Sequence, residues 1–183
     1  MQKALFLDRD GVINIDHGYT HKSEHFKFMP GVFSLCSRFQ CEGYKIIVIT
    51  NQAGIGRGFY SEQDFARLTQ WMTEKFAQNL ITIDGVYWCP HHPVHALGEY
   101  LQNCACRKPQ PGMLLQAIEE HQLNASQSVM IGDKPSDLLA AQRAGIKRRI
   151  LFSPDSNISV TVTDNDKSAA NEVATKLDLI VPY

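Results

Sequence analysis

The chain has 183 residues, of which 44% are apolar, enough to form one well-packed core but too few for two ordinary ones. We therefore predict a single domain over residues 1–183. The formal net charge is -1, from 18 basic and 19 acidic residues, so no overall field attracts nucleic acid or an anionic membrane surface. No apolar run is long enough for a membrane helix or a signal peptide. We expect a cytoplasmic protein, with a monomer as the simplest oligomeric state.

Short apolar segments alternate with amphipathic segments along the chain. The apolar segments predict strands at residues 3–7, 44–49, 85–88, 128–131 and 149–152, and near-continuous apolar strands are typical of a parallel sheet covered on both faces. The amphipathic segments predict helices at 32–42, from a capping box at Ser61 to about 78, at 113–121, and at 137–144 with Gly145 beyond its end. This order predicts an α/β fold with a doubly wound, mainly parallel, Rossmann-like sheet.

Two segments depart from this alternation. Residues 90–111 have little helical or strand periodicity but are rich in Cys, His and Pro, which indicates a long loop that needs another source of order. The tail from Ser153 is polar as far as Lys167. After it we expect a short helix and an edge strand at 179–181, without a role in chemistry.

Acidic side chains follow two of the predicted strands. Asp8 and Asp10 come directly after the first strand, and Asp133 follows the fourth. Ligands bind beyond the carboxyl ends of parallel strands, where carboxylates can share a magnesium ion. Thr50 and Lys108 then supply a hydroxyl donor and a cation for a phosphoryl group. Each residue alone has a plainer interpretation, as a turn former, a structural threonine, a solvated lysine or, for Ser136, a helix cap.

Taken together, these residues resemble the motifs of the haloacid dehalogenase superfamily of phosphohydrolases, which appear in order as DRDGV at 8–12, Thr50, Lys108, and Gly132-Asp133 with Asp137. The resemblance implies that Asp8 is a nucleophile and Asp10 the general acid and base. It also implies a magnesium ion held by Asp8, the backbone carbonyl of Asp10, and Asp133. In this superfamily an Asp two residues after the nucleophile, here Asp10, indicates a phosphatase rather than a dehalogenase. A phosphomutase would bring a cap domain, for which we see no room.

Four soft ligands are clustered in the aperiodic segment, which we call the cysteine loop (about residues 89–107). Cys89, Cys104 and Cys106, with one histidine, suit a closed tetrahedral Zn²⁺ site of the structural kind. His91, His92 and His95 are rival fourth ligands by sequence alone. The alternative is that the cysteines are buried free thiols.

The finer resemblance is to the heptose bisphosphate phosphatase subfamily, in the segments DRDGVIN, DHGY, TNQ, CPHHP, CACRKPQPGM and GDKPSD. It favours His91 as the zinc ligand. It implies removal of the 7-phosphate of D-glycero-D-manno-heptose 1,7-bisphosphate in lipopolysaccharide core biosynthesis, with Arg107 contacting the anomeric phosphate. The implied substrate-binding residues are Asp16, His17, Gly18, Tyr19, Thr50, Asn51, Gln52, Ala53, Arg107, Lys108 and Lys134.

Two other functions are compatible with some of these features. The acidic motifs and the cysteine loop also resemble those of histidinol phosphate phosphatases. The substrate of those enzymes, however, has no second phosphate for Arg107 to contact. A zinc-stabilised nucleic-acid binder could use the same four ligands, but the chain lacks a basic stripe. The glycines of Gly54-Ile55-Gly56-Arg57-Gly58 have the wrong spacing for a dinucleotide-binding fingerprint, and we predict turn glycines.

Overall fold

The computed structural model describes residues 1–154 and 170–182. Its described part contains a six-stranded parallel sheet in the order β3-β2-β1-β4-β5-β6. The prediction of a doubly wound parallel sheet is confirmed. The strands are β1 (Lys3–Leu7), β2 (Tyr44–Asn51), β3 (Ile83–Cys89), β4 (Val129–Gly132), β5 (Arg148–Phe152) and β6 (Glu172–Ala174).

Helices cover both faces of the sheet because successive side chains of a strand point to opposite sides. Leu5 and Leu7 of β1 pack in one apolar cluster with the first and third helices, whereas Ala4 and Phe6 pack in a second cluster with the fourth and fifth. This two-sided burial explains the continuous apolar runs. The helices are α1 (Val32–Cys41), α2 (Ala53–Gly56), α3 (Glu62–Gln78), α4 (Gly112–Glu120) and α5 (Pro135–Arg143).

Two helix ends follow local rules of capping. The capping box predicted for α3 is present, with Ser61 and Asp64 exchanging hydrogen bonds. The start predicted for α5 is wrong, because the helix begins at Pro135 and its cap position is Lys134, whose backbone N–H donates to Asp137 Oδ2 at 3.0 Å. Ser136 therefore lies inside the helix and does not cap it. Gly145, just beyond the end of α5, has a φ of 81°, the left-handed conformation expected there.

The end of the chain differs from its prediction. The edge strand is Glu172–Ala174, paired with β5, and residues 177–179 form one turn of 3-10 helix where we expected a strand to begin. Most of the polar tail, residues 155–169, lies outside the described residues. The described helices include none with the length and hydropathy needed to cross a bilayer.

The direction of strand order reverses between β1 and β4, which are neighbours in the sheet. Ligand sites of open α/β sheets lie at such a reversal, beyond the carboxyl ends of the strands. The segments that leave β1 and β4 begin with Asp8 and Asp133, so both carboxylates lie at this position. Between β3 and α4, the cysteine loop contains a single three-residue 3-10 turn at Gly98–Tyr100.

Candidate active site

A buried lysine joins two carboxylates at the centre of the site. Lys108 Nζ lies 2.9 Å from Asp8 Oδ1 and 2.7 Å from Asp137 Oδ1, and it donates to the Ile49 carbonyl at 2.8 Å. Burial raises the pKa of Asp8 against the opposing effect of the Lys108 charge. Burial acts to lower the pKa of Lys108, but the two carboxylates outweigh it and raise that pKa. Lys108 is therefore a permanent cation at neutral pH.

The carboxylate of Asp133 has the features of a ligand for a hard cation. Asp8, Asp133 and Asp137 offer oxygens within 4.8 Å of one another, and the buried Asp133 Oδ1 has no hydrogen-bond partner among the residues that the structure describes. Burial and the negative charge of Asp8 raise the pKa of Asp133 to about 7. Gly11 makes this approach possible, since a Cβ at that position would lie 2.3 Å from Asp133 Oδ2. An orphaned buried oxygen beside other carboxylates fits a magnesium ion.

Asp10 does not point into this carboxylate cluster. Its two oxygens accept hydrogen bonds from Arg9 Nε at 3.1 Å, Arg9 Nη2 at 3.0 Å, Asn14 Nδ2 at 3.0 Å and Gln52 Nε2 at 3.1 Å. Arg9 is only 2% exposed and also donates to the Thr20 carbonyl at 2.8 Å. Both oxygens of Asp10 are thus engaged by donors, and Asp10 is not among the three carboxylates that offer oxygens within 4.8 Å of one another.

Thr50 lies at the end of β2, fully buried behind the other site residues. Its Oγ1 accepts a hydrogen bond from Gln52 Nε2 at 2.9 Å, which leaves its own O–H hydrogen to donate elsewhere. Asn51 braces the backbone of Lys108 through two hydrogen bonds, one in each direction, of 3.1 and 3.2 Å. The end of β2 thus holds the segment that carries Lys108.

An open cavity of about 630 Å³ adjoins the site, and Asp10 and Lys108 line it, whereas Asp8, Asp133 and Asp137 are not among its lining residues. His17 and Thr50 do not line it: His17 is exposed on its loop, and Thr50 is fully buried. The other predicted substrate residues line it, namely Asp16, Gly18, Tyr19, Asn51, Gln52, Ala53, Arg107, Lys108 and Lys134.

The cavity wall also contains side chains that the sequence did not single out. Arg57 lies over the ring of Tyr19 at 5.6 Å and lines the cavity with Tyr60. Lys134, one of the predicted residues, lines the same cavity, and its Nζ is 3.3 Å from Asp16 Oδ2 and 3.5 Å from Asp133 Oδ2. Nothing in the sequence indicated that Arg57 or Arg9 belongs to the site. Arg57 lies between glycines and Arg9 between aspartates, and an arginine in either setting is usually solvated.

The cysteine loop brings four predicted ligands together. Cys89, His91, Cys104 and Cys106 offer one ligand atom each within 4.8 Å of one another. His91 Nδ1 lies 3.6 Å from Cys89 Sγ and 3.4 Å from Cys106 Sγ. His92 Nδ1 instead accepts from the backbone N–H groups of residues 94 and 95. Three thiols and one imidazole at these separations are a donor set suited to zinc.

Sequence comparisons give the same family. The HAD-hydrolase-like family model matches residues 105–156. The D-glycero-beta-D-manno-heptose-1,7-bisphosphate 7-phosphatase of Vibrio cholerae is 50% identical over 148 residues, 81% of this chain and 80% of its own. The D-glycero-alpha-D-manno-heptose-1,7-bisphosphate 7-phosphatase of Burkholderia mallei is also 50% identical, over 82% of this chain and 79% of its own.

A solved structure is similar over nearly the whole chain. It is a D,D-heptose 1,7-bisphosphate phosphatase of B. bronchiseptica complexed with magnesium and phosphate, with a TM-score of 0.77 and 27% identity over 96% of this chain and 94% of its own. The site geometry and the identity to curated relatives lead to one conclusion. The chain belongs to the D-glycero-D-manno-heptose-1,7-bisphosphate 7-phosphatase family of haloacid dehalogenase-like hydrolases.

Proposed function

We propose that this protein is a magnesium-dependent phosphatase that removes the 7-phosphate of D-glycero-D-manno-heptose 1,7-bisphosphate, a step in building the heptose precursor of lipopolysaccharide core. The observation that carries the proposal is the contact between the buried Asp8 and Lys108, a lysine that itself lines the cavity with the cations Arg57, Arg107 and Lys134. A buried carboxylate paired with a permanent cation, next to a cavity with further cations, suits attack on a phosphate ester.

In the first step Asp8 is the nucleophile. Its hydrogen bonds from described residues, from the Arg9 backbone N–H at 2.8 Å and from Lys108, both fall on Oδ1, which leaves Oδ2 for attack. The bond from Asp8 to phosphorus forms as the bond from phosphorus to the sugar oxygen breaks. Asp10 gives its proton to the departing alkoxide, and the product is an aspartyl phosphate on Asp8.

In the second step water hydrolyses the aspartyl phosphate. Asp10, now a carboxylate, takes a proton from the attacking water, and the bond between Asp8 and phosphorus breaks to release inorganic phosphate. Lys108 stays between Asp8 and Asp137 throughout and offsets negative charge on the phosphoryl oxygens. The resemblance assigns Thr50 to the same group as a hydroxyl donor, although Thr50 lies behind the residues that line the cavity.

In this proposal Asp8, the Asp10 backbone carbonyl and Asp133 would hold a magnesium ion. Phosphatases of this superfamily use Mg²⁺, and the orphaned Asp133 Oδ1 supports a cation at that position. When bound, the ion supplies positive charge that reduces the repulsion between a carboxylate nucleophile and a dianionic phosphate. Asp137 keeps its contact with Lys108 and is a support for that lysine.

The second phosphate of the substrate gives Arg107 its role. Arg107 lines the cavity, and its Nη1 donates to the His91 carbonyl at 3.1 Å, so its position depends on the cysteine loop. A guanidinium can grip a phosphate through two parallel hydrogen bonds. The side chain of Lys134 is 53% exposed and adds a second positive charge to the same cavity. Relatives named for the alpha and the beta anomer are equally identical to this chain, so the proposal specifies no anomer.

Zinc is the second metal of the proposal, held by Cys89, His91, Cys104 and Cys106 as a structural ion that orders the cysteine loop. Thiols kept reduced for a metal fit a cytoplasmic location. We also propose one phosphatase domain over residues 1–183, without a cap domain and as a monomer.

The test compares kcat/KM for the alpha and beta heptose bisphosphates, fructose 1,6-bisphosphate and histidinol phosphate. We expect at least one heptose bisphosphate to exceed histidinol phosphate by more than about tenfold, because histidinol phosphate has no second phosphate to form a charge-assisted hydrogen bond with Arg107. We expect it also to exceed fructose 1,6-bisphosphate, whose two phosphates are placed differently on the sugar. Higher efficiency on histidinol phosphate would identify a histidinol phosphate phosphatase instead. Similar values on every ester would leave only a generic phosphatase.

A further inference from the structure

A buried chain of hydrogen bonds runs from the cavity wall to Asp10. The Tyr60 hydroxyl donates to Gln52 Oε1 at 2.5 Å. Gln52 Nε2 then donates to Asp10 Oδ2 at 3.1 Å and to Thr50 Oγ1 at 2.9 Å. The Gln52 side chain, 2% exposed, thus has both amide hydrogens and its oxygen engaged by protein groups.

The Tyr60 contact fixes which way the Gln52 amide faces. An amide turned by half a rotation would place its oxygen against the Asp10 carboxylate and its NH₂ group against the Tyr60 hydroxyl. Burial raises the pKa of Tyr60 to about 12, so the phenol keeps its proton and donates at neutral pH. A donor at this position therefore favours the orientation in which Gln52 donates to Asp10.

The surroundings of Tyr60 hold its ring in place. A Cβ at position 54 would lie 2.2 Å from Tyr60 Cε1, so only glycine there lets the ring reach Gln52. His21 stacks on the same ring, with centroids 5.0 Å apart and an interplanar angle of 7°. The backbone N–H of Gln52 donates to the Cys89 carbonyl at 2.7 Å, which anchors the residue to the end of β3.

We propose that Tyr60 and Gln52 are positioning residues that set the orientation of the Asp10 carboxyl group for proton transfer to the leaving group. Arg9 and Asn14, from the same turn as Asp10, also donate to its carboxylate: Arg9 Nε to the same Oδ2 that Gln52 contacts, and Asn14 Nδ2 to Oδ1. Gln52, which directly follows β2, contacts Asp10 from a distant part of the chain. A general acid displaced by about 1 Å loses much of its contribution, so the effect falls on esters whose leaving group needs a proton.

The proposal rests on the proposed phosphatase function, and two substrates of nearly the same shape test it. Phenyl phosphate and 4-nitrophenyl phosphate differ in one nitro group, and phenolate is the poorer leaving group. For Tyr60→Phe we expect kcat/KM to fall about tenfold on phenyl phosphate, the loss that corresponds to about one buried hydrogen bond. On 4-nitrophenyl phosphate we expect less than about a threefold loss. The measured quantity is the ratio of kcat/KM on phenyl phosphate to kcat/KM on 4-nitrophenyl phosphate, which should decrease in the variant. This ratio is independent of the fraction of folded protein.

A second variant separates action through Gln52 from direct contact with substrate. Gln52→Leu should lower the same ratio, and adding Tyr60→Phe to it should cost nothing further if Tyr60 acts through Gln52. Tyr44→Phe is the matched control, since Tyr44 is a buried tyrosine at the opposite end of β2, and it should leave the ratio unchanged.

Equal losses on both esters, or additive losses in the double variant, would overturn the positioning role while leaving the phosphatase function intact. Wild-type protein without turnover of either ester or of the heptose bisphosphates would overturn the phosphatase function itself. The two failures are therefore distinguishable on the same preparation.

Discussion

Lys108 Nζ lies 2.9 Å from Asp8 Oδ1, and the same ammonium lies 2.7 Å from Asp137 Oδ1. Both carboxylates and the lysine are almost completely buried. Removing one member of a buried ion pair leaves an unpaired charge in the protein interior. The loss of folding free energy is then much larger than the net stabilisation that the intact pair provides. The three charged side chains of the proposed catalytic centre therefore also affect the stability of the fold.

Replacing Lys108 by Met should abolish turnover and also destabilise the protein. Two facing carboxylates lose their shared cation, and breaking a buried pair costs about 3–5 kcal/mol. Urea unfolding at pH 7.5 without added metal measures this loss. Lys134→Met is the matched control, because that lysine is 53% exposed and its loss should change the free energy of unfolding by less than about 1 kcal/mol. Equal stability of the two variants would contradict the buried-charge argument.

Asp8→Asn should remove turnover while keeping the fold. The amide is nearly isosteric with the carboxylate but is too poor a nucleophile to form the acyl phosphate, so we expect a decrease in kcat of at least about 10⁴-fold, as for other lost nucleophiles. Trapping of labelled phosphate on the acid-quenched wild-type chain, and its absence from the variant, measures the same step. Appreciable turnover by a pure preparation of the variant would sink the nucleophile assignment.

Stabilisation by magnesium should increase with pH. Burial and the charge of Asp8 raise the pKa of Asp133 to about 7 from its ordinary 3.8. Since the folded protein holds this proton more tightly than the unfolded chain, Asp133 stabilises the metal-free fold fully below about pH 4, and that contribution is lost as pH rises through about 7. Magnesium competes with the proton for the same oxygens, so it binds better above that range.

Thermal unfolding with and without millimolar Mg²⁺, at pH 6 and pH 8, measures this competition. We expect the larger increase in Tm at pH 8, and little increase at either pH for Asp133→Asn. Equal increases in the wild type at both pH values would argue against Asp133 as a ligand that titrates in this range.

The sequence predicted the sheet and the placement of Asp8 and Asp133 because both follow from short-range patterns. The end of an apolar run in the sequence marks the end of a strand. The carboxyl ends of parallel strands then meet at one edge of the sheet. The edge strand β6 has only three residues, too few for a period of two to be visible, and it was placed at the wrong residues. The start of α5 was missed because the capping side chain is Asp137, inside the first turn, rather than a residue before it.

The supporting side chains of the site were beyond sequence reasoning for a different reason. Tyr60 precedes a capping box, a position typical of a surface residue, and its burial depends on the missing side chain of Gly54 and on the distant ring of His21. Arg9 stands between two aspartates, where a solvated arginine is the ordinary expectation. Its burial depends on the Thr20 carbonyl and the ring of Phe65. Contacts of this kind arise from tertiary packing, which no local pattern encodes.

Substituting Cys106 by Ser tests the cysteine loop as a zinc site that supports substrate binding. Wild-type protein should contain about one zinc ion per chain, and Cys106→Ser should lose it, because a closed structural site needs all four ligands. Cys41→Ser is the matched control, since Cys41 is an exposed cysteine of α1 and its loss should leave the zinc content unchanged.

The same variant should affect binding more than chemistry. Arg107 follows Cys106 directly and donates to the carbonyl of His91, so a loop without its metal lets this guanidinium move away from the second phosphate. We expect KM for the heptose bisphosphate to rise about tenfold, as for one lost charge-assisted hydrogen bond. We expect kcat to change much less, since Lys108 is also held by Asn51 from the end of β2. Zinc-free wild-type protein with full activity would refute the site, whereas a fall in kcat with KM unchanged would mean that the loop supports Lys108 rather than Arg107.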